Sequence, residues 1–132
     1  MSQDPFAALF TAEVLEQLFP EGRANDFFEA LFGDAAEGAY DIRLVYRGYD
    51  EPARTLAFAL QLHQRPGKCL ACNLTYGLPE VFSRHPLIDL SGLTKEIDNL
   101  LGELGSCAIW RLGTTEQVSS EMHRIPFLIS LA

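Results

Sequence analysis

The chain has 132 residues, 48% of them hydrophobic and 21% charged, and its formal net charge is −8. This composition excludes the polar, charge-rich class of disordered proteins, and the length suits one domain spanning residues 1 to 132. No apolar run reaches the ~18 residues that a membrane span needs, and no basic segment followed by an apolar stretch opens the chain. We therefore expect a soluble, cytoplasmic domain without a membrane partner.

The acidic excess lies entirely in the first third of the chain. Residues 1 to 41 contain nine acidic side chains and one basic side chain, Arg23, whereas residues 42 to 132 contain nine of each sign. A negative field repels phosphate groups, so no nucleic-acid partner is expected. The three cysteines are an odd number and sparse, which favours a reducing compartment over a disulfide scaffold.

Two amphipathic helices are predicted at the start of the chain. Asp4 before Pro5 is a favourable helix start, and apolar residues at helical spacing continue this helix to about Phe19. A second helix follows over residues 24 to 33 and ends at Gly33. Both helices carry aromatic side chains, which are predicted to form a partner-binding or dimer surface if one small sheet cannot bury them all. The candidates are Phe6, Phe10, Phe27 and Phe28.

After residue 40 the apolar pattern changes to a period of two. Residues 40 to 47, 55 to 62 and 69 to 76 alternate between apolar and other side chains, which is typical of strands with one buried face. Short turn segments separate these runs, so a three-stranded antiparallel meander is predicted. The second strand has small residues, Ala57 and Ala59, on its back face, where another group has room to lie.

A loop and a third helix are predicted next. Residues 77 to 86 contain two prolines and are predicted to form a loop that crosses the sheet edge, anchored by Val81 and Phe82. A helix with a continuous apolar stripe starts near Ser91 and stops at Gly105.

Two further strands complete the predicted fold. They are Cys107–Leu112 and residues 125 to 131, joined by a polar segment, and Pro126 places the last strand at an edge or gives it an irregular start. Runs of strands separated from helices are typical of an α+β fold. We therefore predict one antiparallel sheet covered by helices.

The middle of the chain contains soft metal ligands at suggestive positions. In a regular strand, residues three apart point to opposite faces, so two thiols can bind one ion only across a tight turn. The residues between the two cysteines, Leu70 and Ala71, do not favour a turn, so a buried structural cysteine is the preferred interpretation and a zinc site the alternative. The metal-site candidates are His63, Cys69, Cys72 and His85.

The sequence has no catalytic motif with the spacing that chemistry requires. It contains no hydrolase elbow, phosphate-binding loop, dinucleotide fingerprint or zinc-protease helix. Ser83, His85 and Asp89 are neighbours in sequence, but a nucleophile, a base and an orienting acid must be neighbours in space. A binding protein without a cofactor is therefore favoured over an enzyme.

One predicted strand face combines arginines with an apolar residue. Arg43 and Arg47 share a face with Val45, which suits an anion or an acidic peptide, although a solvated sheet face is the simpler interpretation. Together with the aromatic helices, this pattern favours a non-enzymatic protein-binding or chaperone-like module. The alternative is a small-molecule or metal-binding protein or enzyme centred on Cys69 and Cys72.

Two stretches carry a resemblance to a known family. FFEALFGDAAEGAYDI at residues 27 to 42 and RPGKCLACNLTYGLPEVFSRHPLIDL at residues 65 to 90 resemble a family of small proteins from anaerobic proteobacteria. Some members carry a homeodomain-protein name, but the strand-rich, acidic sequence does not predict a homeodomain. The order of elements is also similar to that of secretion chaperones, which implies a homodimer that holds a protein partner.

Overall fold

The computed structural model describes residues 4–20, 22–33, 40–67, 78–86 and 88–132. Their helices and strands confirm the predicted α+β class with an antiparallel sheet. The helices are α1 (Ala12–Leu18), α2 (Gly22–Phe32), α3 (Leu78–Arg84) and α4 (Leu90–Leu101), which continues into a 3₁₀ turn (Gly102–Leu104). The strands are β1 (Tyr40–Asp50), β2 (Thr55–Gln64), β3 (Cys107–Leu112), β4 (Glu116–Gln117) and β5 (Met122–Leu131).

The sheet has the order β1-β2-β5-β3, and the short β4 also pairs with β5. All of these pairings are antiparallel. The predicted third strand of the meander, residues 69 to 76, lies outside the described residues. Beside β2 the structure places β5, from the far end of the chain, with Phe127 opposite Phe58. The apolar alternation of β5 matches that of β2, so both strands bury the same face.

Pro126 lies inside the sheet, so the predicted edge position of the last strand is wrong. The carbonyl of Pro126 accepts a hydrogen bond from the Gly113 N–H at 2.8 Å, so its nitrogen faces the same side of β5. On that side, β3 has ended at Leu112 and β4 begins only at Glu116. A proline is accommodated because the missing N–H faces this interruption.

The first predicted helix is shorter in the structure. Residues 5 to 9 form turns, and α1 starts after Thr11, whose hydroxyl accepts a hydrogen bond from the Val14 N–H at 3.2 Å. Asp4 ties the turns to the sheet. One of its carboxylate oxygens accepts from the Phe6 N–H at 2.9 Å, and the other accepts from the Tyr46 hydroxyl at 2.6 Å.

The predicted loop over residues 77 to 86 is mostly a helix, α3, in the part that the structure describes. Pro79 stands in its first turn, where the missing N–H costs nothing. Phe82 is fully buried and meets the ring of Phe27, with 5.5 Å between centroids. The prolines suggested a loop, but this aromatic contact stabilises a short helix. The third predicted helix is confirmed as α4, which begins at Leu90.

The helices pack on one face of the sheet, around a core of aromatic rings. Phe58, at the centre of β2, lies 5.0 Å from Phe10, 5.3 Å from Tyr46 and 6.0 Å from Phe127 between ring centroids. These contacts join the N-terminal turns, β1 and β5. Among the described residues, no helix has the length and apolarity needed to cross a membrane.

Candidate functional site

The aromatic residues predicted to bind a partner are core residues in the structure. Phe6, Phe10, Phe27 and Phe28 are 2%, 5%, 0% and 3% exposed. Phe28 packs edge-on against Tyr40, with ring centroids 4.9 Å apart, so the helices turn these rings towards the sheet. One small sheet does bury them, and a partner surface has to be sought elsewhere.

The metal-site candidates are not brought together by the described residues. Cys69 and Cys72 lie outside those residues. His63 is on the sheet face opposite the helices, whereas His85 follows α3 and stacks edge-on against Phe27, with centroids 4.8 Å apart. Within the described parts of the chain, no group of three or more potential ligands surrounds a common point.

The environments of two titratable side chains limit their chemistry. Partial burial lowers the pKa of His63 and the nearby Arg43 lowers it further, whereas Asp41 acts in the opposite direction. The Nε2 atom of His63 lies 2.9 Å from Gln61 Oε1. Burial raises the pKa of the Cys107 thiol to about 11, and the Asp98 carboxylate adds to this. A thiol that stays protonated is a poor nucleophile.

The outer edge of β1 presents backbone groups that no described strand pairs with. Because the Pro126 carbonyl faces Gly113, its partner Ala59 directs its own N–H and C=O towards β1. Val45, which pairs with Ala59, therefore directs its N–H and C=O towards β2, and the N–H and C=O groups of Leu44 and Ile42, one and three residues earlier, point away from the sheet. A hydrogen bond of 2.8 Å from the Gln64 N–H to the Glu121 carbonyl supports this assignment. Gln64 lies five residues after Ala59, so its backbone groups should point to the other side of β2, towards the start of β5.

A groove of about 440 Å³ runs between this edge and α1, and we refer to it as the edge groove. Leu15 and Phe19 form its apolar side, and the exposed Glu16 also lines it. On the strand side the groove reaches around β1, because its lining includes residues from both sheet faces. The strand residues that line it are Ile42, Arg43, Leu44, Val45 and Gln61.

The sheet face opposite the helices is a second surface, which we call the arginine-framed face. The strand register sets Val45, Ala59 and Pro126 in one row and places Ala57 and Leu128 side by side in the next. These five side chains form an apolar centre, and arginines on three strands surround it. They are Arg43 and Arg47 of β1, Arg111 of β3 and Arg124 of β5.

Carboxylates already meet arginines at two places on the border of the face. Glu116 Oε1 accepts from Arg124 Nε at 2.6 Å and lies 4.0 Å from Arg47 Nη1. At the other end, Asp41 accepts from Arg65 Nε at 3.0 Å. Such half-exposed pairs add little to stability, but they show that the face can hold carboxylates.

The sequence pointed to part of this arrangement. The shared face of Arg43, Arg47 and Val45 was visible from the alternation, and so was the small back face of the second strand. The edge groove was missed, because its lining joins α1 to a strand about thirty residues later in the chain. The only hint in the sequence is a small residue, Ala12, at helical spacing from the large apolar residues Leu15 and Phe19.

Comparisons with known proteins identify no relative of this chain. No family model, no curated protein and no solved structure matches it.

Proposed function

We propose that this protein is a non-enzymatic protein-binding module, chaperone-like in that it holds an extended segment of a partner polypeptide. The segment adds to the sheet as a strand along β1. The outward-facing edge of β1 beside the edge groove is the observation that supports this proposal. That the protein is located in the cytoplasm is part of the same proposal.

The main chain of the segment supplies the hydrogen bonds in this mode of binding. The N–H and C=O groups of Ile42 and Leu44 face outward, and an added strand satisfies both pairs. An exposed strand edge is a template for such pairing, because its backbone groups have the spacing that a second strand requires. Main-chain pairing gives affinity without requiring a particular sequence, which suits a protein that holds unfolded segments.

Side chains of the segment alternate between two environments. Those on the helix side enter the edge groove and contact Leu15 and Phe19, which favours apolar residues at every second position. Those on the opposite side lie next to Arg43 and Val45. A volume of about 440 Å³ accommodates one or two large side chains, so specificity is set by few positions.

The test starts from a selection of displayed random peptides of about 12 residues, a length that spans a strand of ordinary size. The selected peptide is synthesised and its affinity measured by fluorescence anisotropy. Ala12→Trp, which fills the edge groove, is expected to weaken binding at least about tenfold by excluding the apolar anchor. The matched control is Glu13→Trp, the next residue of α1, which is exposed and does not line the groove.

Backbone methylation of the peptide tests the strand pairing itself. Two methylated versions of the peptide are compared, one with N-methyl groups at the odd positions and one at the even positions. In an added strand, one version loses the N–H donors that face β1, and the other loses the donors that face solvent. We expect one of the two methylated peptides to lose binding and the other to keep it. The proposal would be overturned if both methylated peptides bound equally well, if the two tryptophan variants had equal effects, or if the selection enriched no peptide.

A second copy of the chain is another occupant to be tested at this edge. Light scattering of the wild type and of Ala12→Trp distinguishes the cases. A wild-type dimer that Ala12→Trp converts to a monomer assigns the edge to self-association and replaces the peptide-holding proposal. A monomer in both leaves the edge to a partner.

A further inference from the structure

A groove of about 380 Å³ lies between α1 and α4, and we refer to it as the interhelix groove. The residues that line it are Val14, Gln17, Leu18, Glu96, Asn99 and Leu100. None of them lines the edge groove, which takes its α1 residues from the other flank of that helix. The two grooves are therefore separate surfaces on the two sides of one short helix.

The interhelix groove combines solvent exposure with apolar side chains. Gln17, Glu96 and Asn99 are exposed, and so is Leu100, at 39%. Val14 is half-buried beside them. A partner that covers Leu100 and Val14 removes apolar surface from water, which favours binding.

The main chain that borders this groove has no N–H group to offer a partner. The Val14 N–H is bonded to the Thr11 hydroxyl, and the N–H groups further along each helix are used within the helix. An extended segment in the groove would therefore bury C=O groups without donors. A helix satisfies its own backbone groups and presents side chains alone, so a helix is favoured as the occupant.

The two helices that form the groove are acidic. Together they contain four acidic residues and one basic residue, Lys95, which does not line the groove. Glu96 does line it, and among the described residues no side chain forms an ion pair with its carboxylate. Glu13 adds a second carboxylate one helical turn before Gln17.

The peptide dipoles add to this negative charge. Gln17 and Leu18 belong to the last turn of α1, and Asn99 and Leu100 belong to the last turn of α4. The C-terminal end of a helix carries partial negative charge, and neither last turn contains a basic residue that would neutralise it. Lysine and arginine side chains of a partner complement these helix ends and Glu96.

We infer that the interhelix groove is a docking surface for an amphipathic helix of a partner protein, in which lysine or arginine residues flank an apolar stripe. The stripe covers Leu100 and Val14, and the cations lie beside Glu96 and the helix ends. A second copy of the chain fits less well, because a symmetric contact would set the same acidic helices against each other.

The experiment selects helices from a displayed library on the full-length protein. The library contains peptides of about 18 residues, long enough for a helix, with apolar residues fixed at helical spacing and the other positions random. Enriched peptides are measured by fluorescence anisotropy. We expect an excess of lysine and arginine over acidic residues, and an affinity that falls as salt rises from about 50 to 300 mM. Proline at the centre of a selected peptide should abolish its binding.

Two matched pairs of variants locate the surface. Leu100→Ala should weaken binding at least about fivefold, whereas Leu104→Ala, a residue 52% exposed and outside the groove, should leave affinity within about twofold. Glu96→Lys should weaken binding at least about tenfold, because repulsion replaces attraction. Glu29→Lys on α2 makes the same change in net charge at an exposed helical residue outside the groove and should have an effect within about twofold. Circular dichroism checks that each variant is folded.

Ala12→Trp separates this inference from the proposed strand addition. This substitution fills the edge groove and leaves the lining of the interhelix groove unchanged, so the selected helices should bind the variant as they bind the wild type. Loss of binding would assign the peptides to the edge groove and overturn the inference.

Three further outcomes would also overturn it. One is a selection that enriches no peptide, or that enriches acidic peptides. Another is an equal effect of the two variants in either matched pair. The last is a wild-type dimer, seen by light scattering, that Leu100→Ala converts to a monomer, which would assign the groove to a second copy of the chain.

Discussion

His123 is a titratable side chain placed in the core at the start of β5. It is 1% exposed and lies between Leu62 of β2 and Gln117 of β4. Burial lowers its pKa, since the charged imidazolium is poorly solvated there. The predicted last strand began at residue 125, so the burial of His123 follows from the longer β5 that the structure shows.

This burial predicts a pH dependence of stability. The unfolded chain takes up a proton as pH falls through about 6.5, whereas folded His123 does so only at lower pH, so protons favour the unfolded state. The contribution of His123 to the free energy of unfolding should therefore be constant above that pH and fall below it, by up to about 1.4 kcal/mol per pH unit. Urea titrations at pH 7.5 and 5.5 measure the difference.

His123→Gln is the variant that tests the origin of this dependence. Its unfolding free energy should change less between the two pH values than that of the wild type. A smaller remaining slope is expected from His63, whose pKa is also lowered. Parallel pH profiles for wild type and variant would exclude His123 as the source.

At the scale of elements, α4 depends on the residue that precedes it. Asp89 is the N-cap; its carboxylate accepts from the Gly92 N–H at 3.1 Å, and its backbone has a positive φ of 49°. Asp89→Ala should cost about 1 kcal/mol, because the cap is lost and alanine tolerates this φ poorly. Asp89→Asn keeps an acceptor and tolerates the φ, so its thermal unfolding should stay near that of the wild type.

The contact between the end of β3 and β5 limits the size of residue 113. A Cβ on Gly113 would lie 3.0 Å from Cβ and 3.1 Å from Cγ of Pro126, and a proline ring inside a sheet has little room to move. Gly113→Ala should therefore destabilise the protein by about 1–3 kcal/mol in denaturant titrations, as overpacking does.

Gly22 is the matched control for this substitution. It begins α2, and a methyl group at this position would have no neighbour within 4 Å, so Gly22→Ala should be neutral or slightly stabilising. If both alanine variants unfold at the same denaturant concentration, the close approach to Pro126 does not limit the size of residue 113.

At the scale of the whole molecule, one ring joins the N-terminal turns to both halves of the sheet. Phe58→Ala should cost about 3–5 kcal/mol, because it leaves a cavity among Phe10, Tyr46 and Phe127. Ile109→Ala is the control, since Ile109 is 67% exposed and its loss should change stability by less than about 0.5 kcal/mol. Equal midpoints in urea would contradict a core centred on this ring.

Arg43 and Val45 belong to two surfaces at once. Both line the edge groove and both lie on the sheet face opposite the helices, because β1 is the edge strand of the sheet and also one of the strands of that face. Substitutions at these two residues should therefore change both surfaces.

Apolar periodicity and the positions of glycine and proline were enough to predict the class of fold, the helices α2 and α4, and the strands β1, β2 and β3. Each of these helices and strands depends on residues that are close in the chain. They also indicated which face of β1 carries arginines. Which strand lies beside β2, that Pro126 is central, that residues 78 to 84 form a helix, and that the phenylalanines are covered depended on tertiary structure. Those features come from contacts between segments far apart in the chain, and local pattern carries no information about which distant surface a strand or ring will meet.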